Sequence, residues 1–162
     1  MRALPGLLLA LALAAPAAAQ KGRFELDLGL VDIERVGQQE YTLPGLPEAD
    51  IAFGFSLSAP DGGRVHHLPK ATVRITLVNE RDEVVFDAAD ELANFTRAES
   101  TRATFLYLRG VQNQAPGPDG GWGTYARPRK SGKYRMVVET VKSNVTMTKF
   151  VVRLMGVDGR WK

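Results

Sequence analysis

The chain has no cysteine and only two histidines, His66 and His67, and these shortages exclude more chemistry than any motif supplies. Without cysteine there is no disulfide, no thiolate nucleophile and no lipid anchor at a mature N-terminal Cys. A structural zinc centre draws four ligands from Cys and His, and a catalytic one takes three protein ligands. Asp and Glu would have to make up such a set. The H-E-x-x-H pattern and the P-loop lysine are also missing. Gly54-Phe55-Ser56-Leu57-Ser58 fails the G-x-S-x-G pattern at its last position, and it lies inside an extended segment rather than at a strand-to-helix turn. Ser56 therefore reads as a solvent-facing strand residue.

The first twenty residues, MRALPGLLLALALAAPAAAQ, differ in character from the rest of the chain. Arg2 precedes an uncharged apolar run from Leu7 to Ala15, and Ala17-Ala18-Ala19 supplies the small residues a signal peptidase reads. The run falls short of the ~20 apolar residues of a membrane span. We therefore expect a signal peptide over 1–20 and one mature domain over 21–162. The alanine-rich leader and missing cysteine favour a periplasmic or secreted bacterial protein. The sequons at Asn94 and Asn144 then carry no glycan.

Charge is split along the chain. Residues 21–100 hold 8 Lys/Arg against 15 Asp/Glu, and residues 101–162 hold 12 against 3. In a domain whose strands interleave, this predicts one acidic and one basic surface rather than a nucleic-acid tail. Nucleic acid is not an expected partner of an exported chain.

What the sequence has in abundance is alternation. Phe24, Leu26, Leu28 and Leu30 form one apolar series; Ile51, Phe53, Phe55 and Leu57 form a second; Val73, Ile75 and Leu77 form a third. Successive side chains in a strand point to opposite faces, so each series predicts a strand with one greasy side. Further strands are expected over 83–86, 101–108, 134–141 and 145–154, and a short helix over 87–95. Seven to eight short strands without a long helical pattern predict an all-β antiparallel sandwich. If Lys142-Ser143-Asn144 is a three-residue hairpin loop with Asn144 left-handed, Tyr134 pairs with Val152 and Met136 with Phe150. Tyr134, Met136, Val138, Phe150, Val152 and Leu154 then share one face.

Ser131-Gly132-Lys133-Tyr134 opens the penultimate expected strand with Gly-x-Tyr, which resembles the tyrosine corner of immunoglobulin-like β-sandwich domains, here of the kind found in exported bacterial proteins. The resemblance covers four residues. The inter-sheet cysteines of antibody domains are absent, and no Trp lies in the third-strand segment. It implies a fold class and carries no functional residue across.

Three clusters invite chemistry. His66 and His67 lie in GRVHHLPK, between Asp61-Gly62-Gly63 and Pro69, and neighbouring strand residues cannot aim at one ion. They read as exposed loop histidines, with no metal or cofactor expected. A copper site would need a methionine pair, and the hairpin register turns Met136 inwards and Met147 outwards. Asn79–Glu83 reads as a polar hairpin turn, while Asp87, Asp90 and Glu91 could serve a hydrolase only across a cleft. The third cluster is GVQNQAPGPDGGWGTYARPRK, residues 110–130. Loops above ~12–15 residues without periodicity are commonly functional or disordered. This one carries Trp122, Tyr125, Arg127, Arg129 and Lys130, with Lys133 and Arg135 beyond it, and aromatic and Arg residues concentrate interface energy.

The expected function is a non-catalytic, exported β-sandwich binding module acting on another periplasmic or envelope protein through this segment. Carbohydrate or cell-envelope polysaccharide binding is the alternative. A metal carrier and a carboxylate hydrolase rank behind both.

Overall fold

The computed structural model describes residues 25–99, 104–107, 126, 128 and 132–158. These form nine strands: β1 (Glu25–Leu30), β2 (Gly37–Pro44), β3 (Ile51–Ser58), β4 (Ala71–Asn79), β5 (Val84–Glu91), β6 (Thr96–Glu99), β7 (Thr104–Tyr107), β8 (Lys133–Ser143) and β9 (Val151–Asp158). One sheet has the order β1-β9-β3-β7-β6 and the other β2-β8-β4-β5, with every pairing antiparallel. The all-β sandwich is the fold. No helix among the described residues is long and apolar enough to cross a membrane.

The alternating residues build the core. Ile51, Phe53, Phe55 and Leu57 from β3 face Val73, Ile75 and Leu77 from β4, and all seven are fully buried. Phe53 meets Phe86 edge-on at 5.7 Å between ring centroids, joining the two sheets. Phe55 stacks on Phe95 at 6.0 Å. Such contacts add about 0.5–1.5 kcal/mol to area burial.

The expected 134–154 hairpin does not form. β8 pairs with β2 and β4, whereas β9 pairs with β1 and β3 in the opposite sheet. Tyr134 lies opposite Leu43 and Asn79, and Val152 lies opposite Leu57. The inward faces are nevertheless as expected, since Tyr134, Met136, Val138, Val152 and Leu154 are all buried and only Phe150 is half-buried. They meet across the core instead of along one sheet. Residues 144–150 cross between the layers. Asn144 donates its amide to the Lys70 carbonyl at 2.9 Å, Val145 is buried, and a 3₁₀ turn at Met147–Lys149 precedes β9. Met147 donates its amide to Glu34 Oε2 at 2.9 Å, fixing the crossing to the 31–36 segment. Asn144 is not left-handed; among the described non-glycine residues only Asp82 has positive φ.

Two further expectations need correction. Residues 87–95 are not a helix: β5 continues to Glu91, and a 3₁₀ turn of three residues, Leu92–Asn94, comes next. Leu30 does not face the core. A bulge between Asp27 and Gly29 inserts one residue, which reverses the alternation and leaves Leu30 61% exposed with Val31 buried. Phe24 lies outside the described residues, as does the segment 1–20 read as a leader.

The strand order has the immunoglobulin arrangement in the blocks β3-β7-β6 and β8-β4-β5. It departs at β9, which sits beside β3 in the first sheet rather than beside β8. The Tyr134 ring lies so close over Gly132 that a Cβ there would fall 2.5 Å from Cε2.

Candidate functional site

Trp122, Tyr125, Arg127, Arg129 and Lys130 lie outside the described residues. What the structure describes of the 110–130 segment is Ala126 and Pro128, both buried. Ala126 exchanges two backbone hydrogen bonds with Ile51, its N–H donating at 2.9 Å and its carbonyl accepting at 2.8 Å. Ile51 is the first residue of β3, and its other neighbour is Asp158 on β9. Ala126 is thus a fixed point on the first sheet, between Tyr125 and Arg127 in the sequence. An alanine among glycines and arginines gives no sign of such a role.

The basic flank is thinner than the sequence implies. Arg135 reaches across the outer face of the second sheet to Glu40 Oε1 at 3.5 Å and Asp82 Oδ1 at 3.2 Å. Arg153 holds Asp27 Oδ2, with Nε at 2.7 Å and Nη2 at 2.6 Å. Each pair joins a base from the second half of the chain to an acid from the first. Interleaved strands therefore neutralise the charge split at these places rather than separating it into two surfaces.

The carboxylates of β5 do not converge. Asp87 shares the outer face of the sheet with Arg74 and Thr76, and both donate to it. The Arg74 hydrogen bonds hold its carboxyl below the ordinary carboxylate range. Asp90, three residues on, lies on the opposite face of the strand, where Oδ1 accepts from the Glu91 amide and Asn94 Nδ2, each at 2.7 Å. Glu91 shares a face with Asp87, but it lies four positions along the extended strand, ~13 Å away, beyond the spacing of a glycosidase pair.

The turn between β4 and β5 is built by Asn79. Its Oδ1 accepts from the Arg81 and Glu83 amides at 2.9 and 3.0 Å, and its Nδ2 donates to Glu83 Oε2 at 2.7 Å. This is the polar hairpin turn read from the sequence.

His66 and His67 are exposed on the 59–70 connection. Among the described residues no three His, Asp or Glu side chains are grouped to hold an ion. Met136 is buried in the core, and Met147 is half-buried on its 3₁₀ turn.

Comparison with known proteins returns no match, whether to a protein family, a curated protein or a solved structure.

Proposed function

We propose that this chain is an exported, non-catalytic binding module that engages another periplasmic or envelope protein through residues 110–130. The supporting observation is the anchorage of Ala126 on Ile51. A long aromatic and basic segment tied to a rigid strand costs less entropy to order on binding than one held only at its ends. Trp122 and Tyr125 supply the apolar anchors, and Arg127, Arg129 and Lys130 supply charge that a partner's carboxylates would meet.

The test is affinity purification from periplasmic extract with wild-type protein and a Trp122→Ala/Arg127→Ala variant of unchanged melting temperature. A protein partner recovered by the wild type alone is the expected result. Equal recovery of every protein by both removes the segment from the interface. Quenching of Trp122 fluorescence by an envelope polysaccharide, without any protein partner, replaces the protein reading with the carbohydrate one.

A further inference from the structure

A sandwich has four sheet edges, and here they are not alike. β1 is kinked by the bulge at Asp27/Gly29. β2 ends in Pro44 and is tied to the chain before it, since Gln39 exchanges hydrogen bonds with the Asp32 backbone and the Tyr41 hydroxyl donates to the Leu30 carbonyl. β6 is four residues long. Each is blunted by a device that natural sheets use against edge-to-edge association.

β5 is different. It runs for eight residues, Val84–Glu91, without proline, glycine or a basic side chain. It too carries a bulge, at Val85 near its start, but from Phe86 to Glu91 its pairing with β4 is regular, and among the described residues it pairs with no other strand. Val84, Ala89 and Glu91 are exposed. Asp90, the one charge on its inner side, is occupied by the turn into Leu92–Asn94.

The protection that β5 does have is of one sign. On β5 and the turn before it stand Glu80, Asp82, Glu83, Asp87, Asp90 and Glu91; Arg74 pairs with Asp87, Arg81 with Glu83, and Arg135 is shared between Asp82 and Glu40, so the carboxylates outnumber the guanidinium groups that meet them. Acidic protection repels a second copy of the same edge, because a two-fold pairing would set β5 against β5. It attracts a cationic strand. A backbone edge guarded by a single sign of charge is thereby selective.

We propose that β5 receives an extended, cationic segment of a partner protein by strand addition. Backbone hydrogen bonds provide the affinity and alternate side chains the selectivity. Lys or Arg at every second position of the guest would lie beside Asp87, Ala89 and Glu91 on the outer face. The exposed Ala89 leaves room there for a long side chain. The intervening residues would be apolar, beside Phe86 and Ala88 at the edge of the core. This proposal does not rest on the reading of the 110–130 segment.

The probe is a ten-residue peptide of alternating lysine and valine, titrated into the full mature chain and followed by amide hydrogen exchange. Slowed exchange within 84–91, lost at high salt and lost when a central valine of the peptide is replaced by proline, is the expected result. In the protein, Ala89→Lys should abolish the protection while leaving the melting temperature near wild type, and Trp122→Ala/Arg127→Ala should leave it intact. Equal protection by the proline peptide would reduce the contact to charge alone and overturn the proposal. Equal protection by an alternating glutamate–valine peptide, or protection outside 84–91, would overturn it too.

Discussion

Arg74 on β4 holds Asp87 on β5 with two parallel hydrogen bonds, Nε to Oδ1 at 2.7 Å and Nη2 to Oδ2 at 2.5 Å. The pair is diagonal in the ladder, because Arg74 lies opposite Ala89 and Asp87 opposite Thr76. Thr76 adds a third donor at 3.2 Å. Both side chains keep contact with water, so the pair is worth about 1 kcal/mol or less despite its fork geometry.

That pair sets an acid limit. The Asp87 carboxyl is depressed in the folded chain from an ordinary value of 3.8, first by the Arg74 hydrogen bonds. Its contribution is therefore present above that value and is lost as pH falls through the lower, folded one. Asp87→Asn should cost stability at neutral pH, and the gap from wild type should close below about pH 4. Urea unfolding at a series of pH values measures it; a gap that stays constant to about pH 2 would refute the assignment.

Tyr41 sets a limit at the other end. Its hydroxyl donates to the Leu30 carbonyl at 2.8 Å, and burial pushes its pKa from 10.0 to about 12. The neutral phenol is favoured by folding, so its contribution is complete below pH 10 and is lost as pH rises towards 12. Tyr41→Phe should remove this part of the alkaline destabilisation. Ultraviolet titration should show one tyrosinate fewer in the late-ionising class.

Thr104 and Thr140 are fully buried, and among the described residues neither hydroxyl has a hydrogen-bond partner. An unpartnered hydroxyl in a core costs about 1–3 kcal/mol, so Thr140→Val, which keeps the shape, should stabilise the fold by about 1 kcal/mol. Thr104→Val should stabilise in the same way, and because both residues face one core from opposite sheets, the double variant measures how far the two effects couple. Chemical denaturation of the two single variants and the double variant checks both statements.

At Gly132 a methyl group has nowhere to go. A Cβ would lie 2.5 Å from Tyr134 Cε2 and 2.7 Å from its hydroxyl oxygen, and the ring is buried. Gly132→Ala should destabilise by about 1–3 kcal/mol, the usual cost of forced overpacking. In a Tyr134→Leu background the same change should cost less, and a double-mutant cycle reads the difference as coupling.

The inward faces of β3, β4, β8 and β9 were legible in the sequence, whereas β2 and β6 were not read as strands. Alternation at Ile51–Leu57 and Val73–Leu77 names the buried side chains, because a pleated strand sends successive residues to opposite sides. The polar turn at Asn79–Glu83 was legible for a similar reason: its hydrogen bonds are local. A one-residue bulge at Leu28 was invisible, since it is set by the partner strand and not by the pattern. So was the anchorage of Ala126, which depends on Ile51, 75 residues away.

By itself, then, the chain determined that it is built of strands and, for β3, β4, β8 and β9, which side is apolar. It did not determine which strands are neighbours. Val138 and Leu154 present the same greasy side to the core whether they lie in one sheet or in opposite ones, and the hydrophobic driving force has no direction that would tell these apart. Only tertiary packing, through the crossing at 144–150, placed β8 and β9 in different layers. Among the described residues the same packing left β5 at an edge.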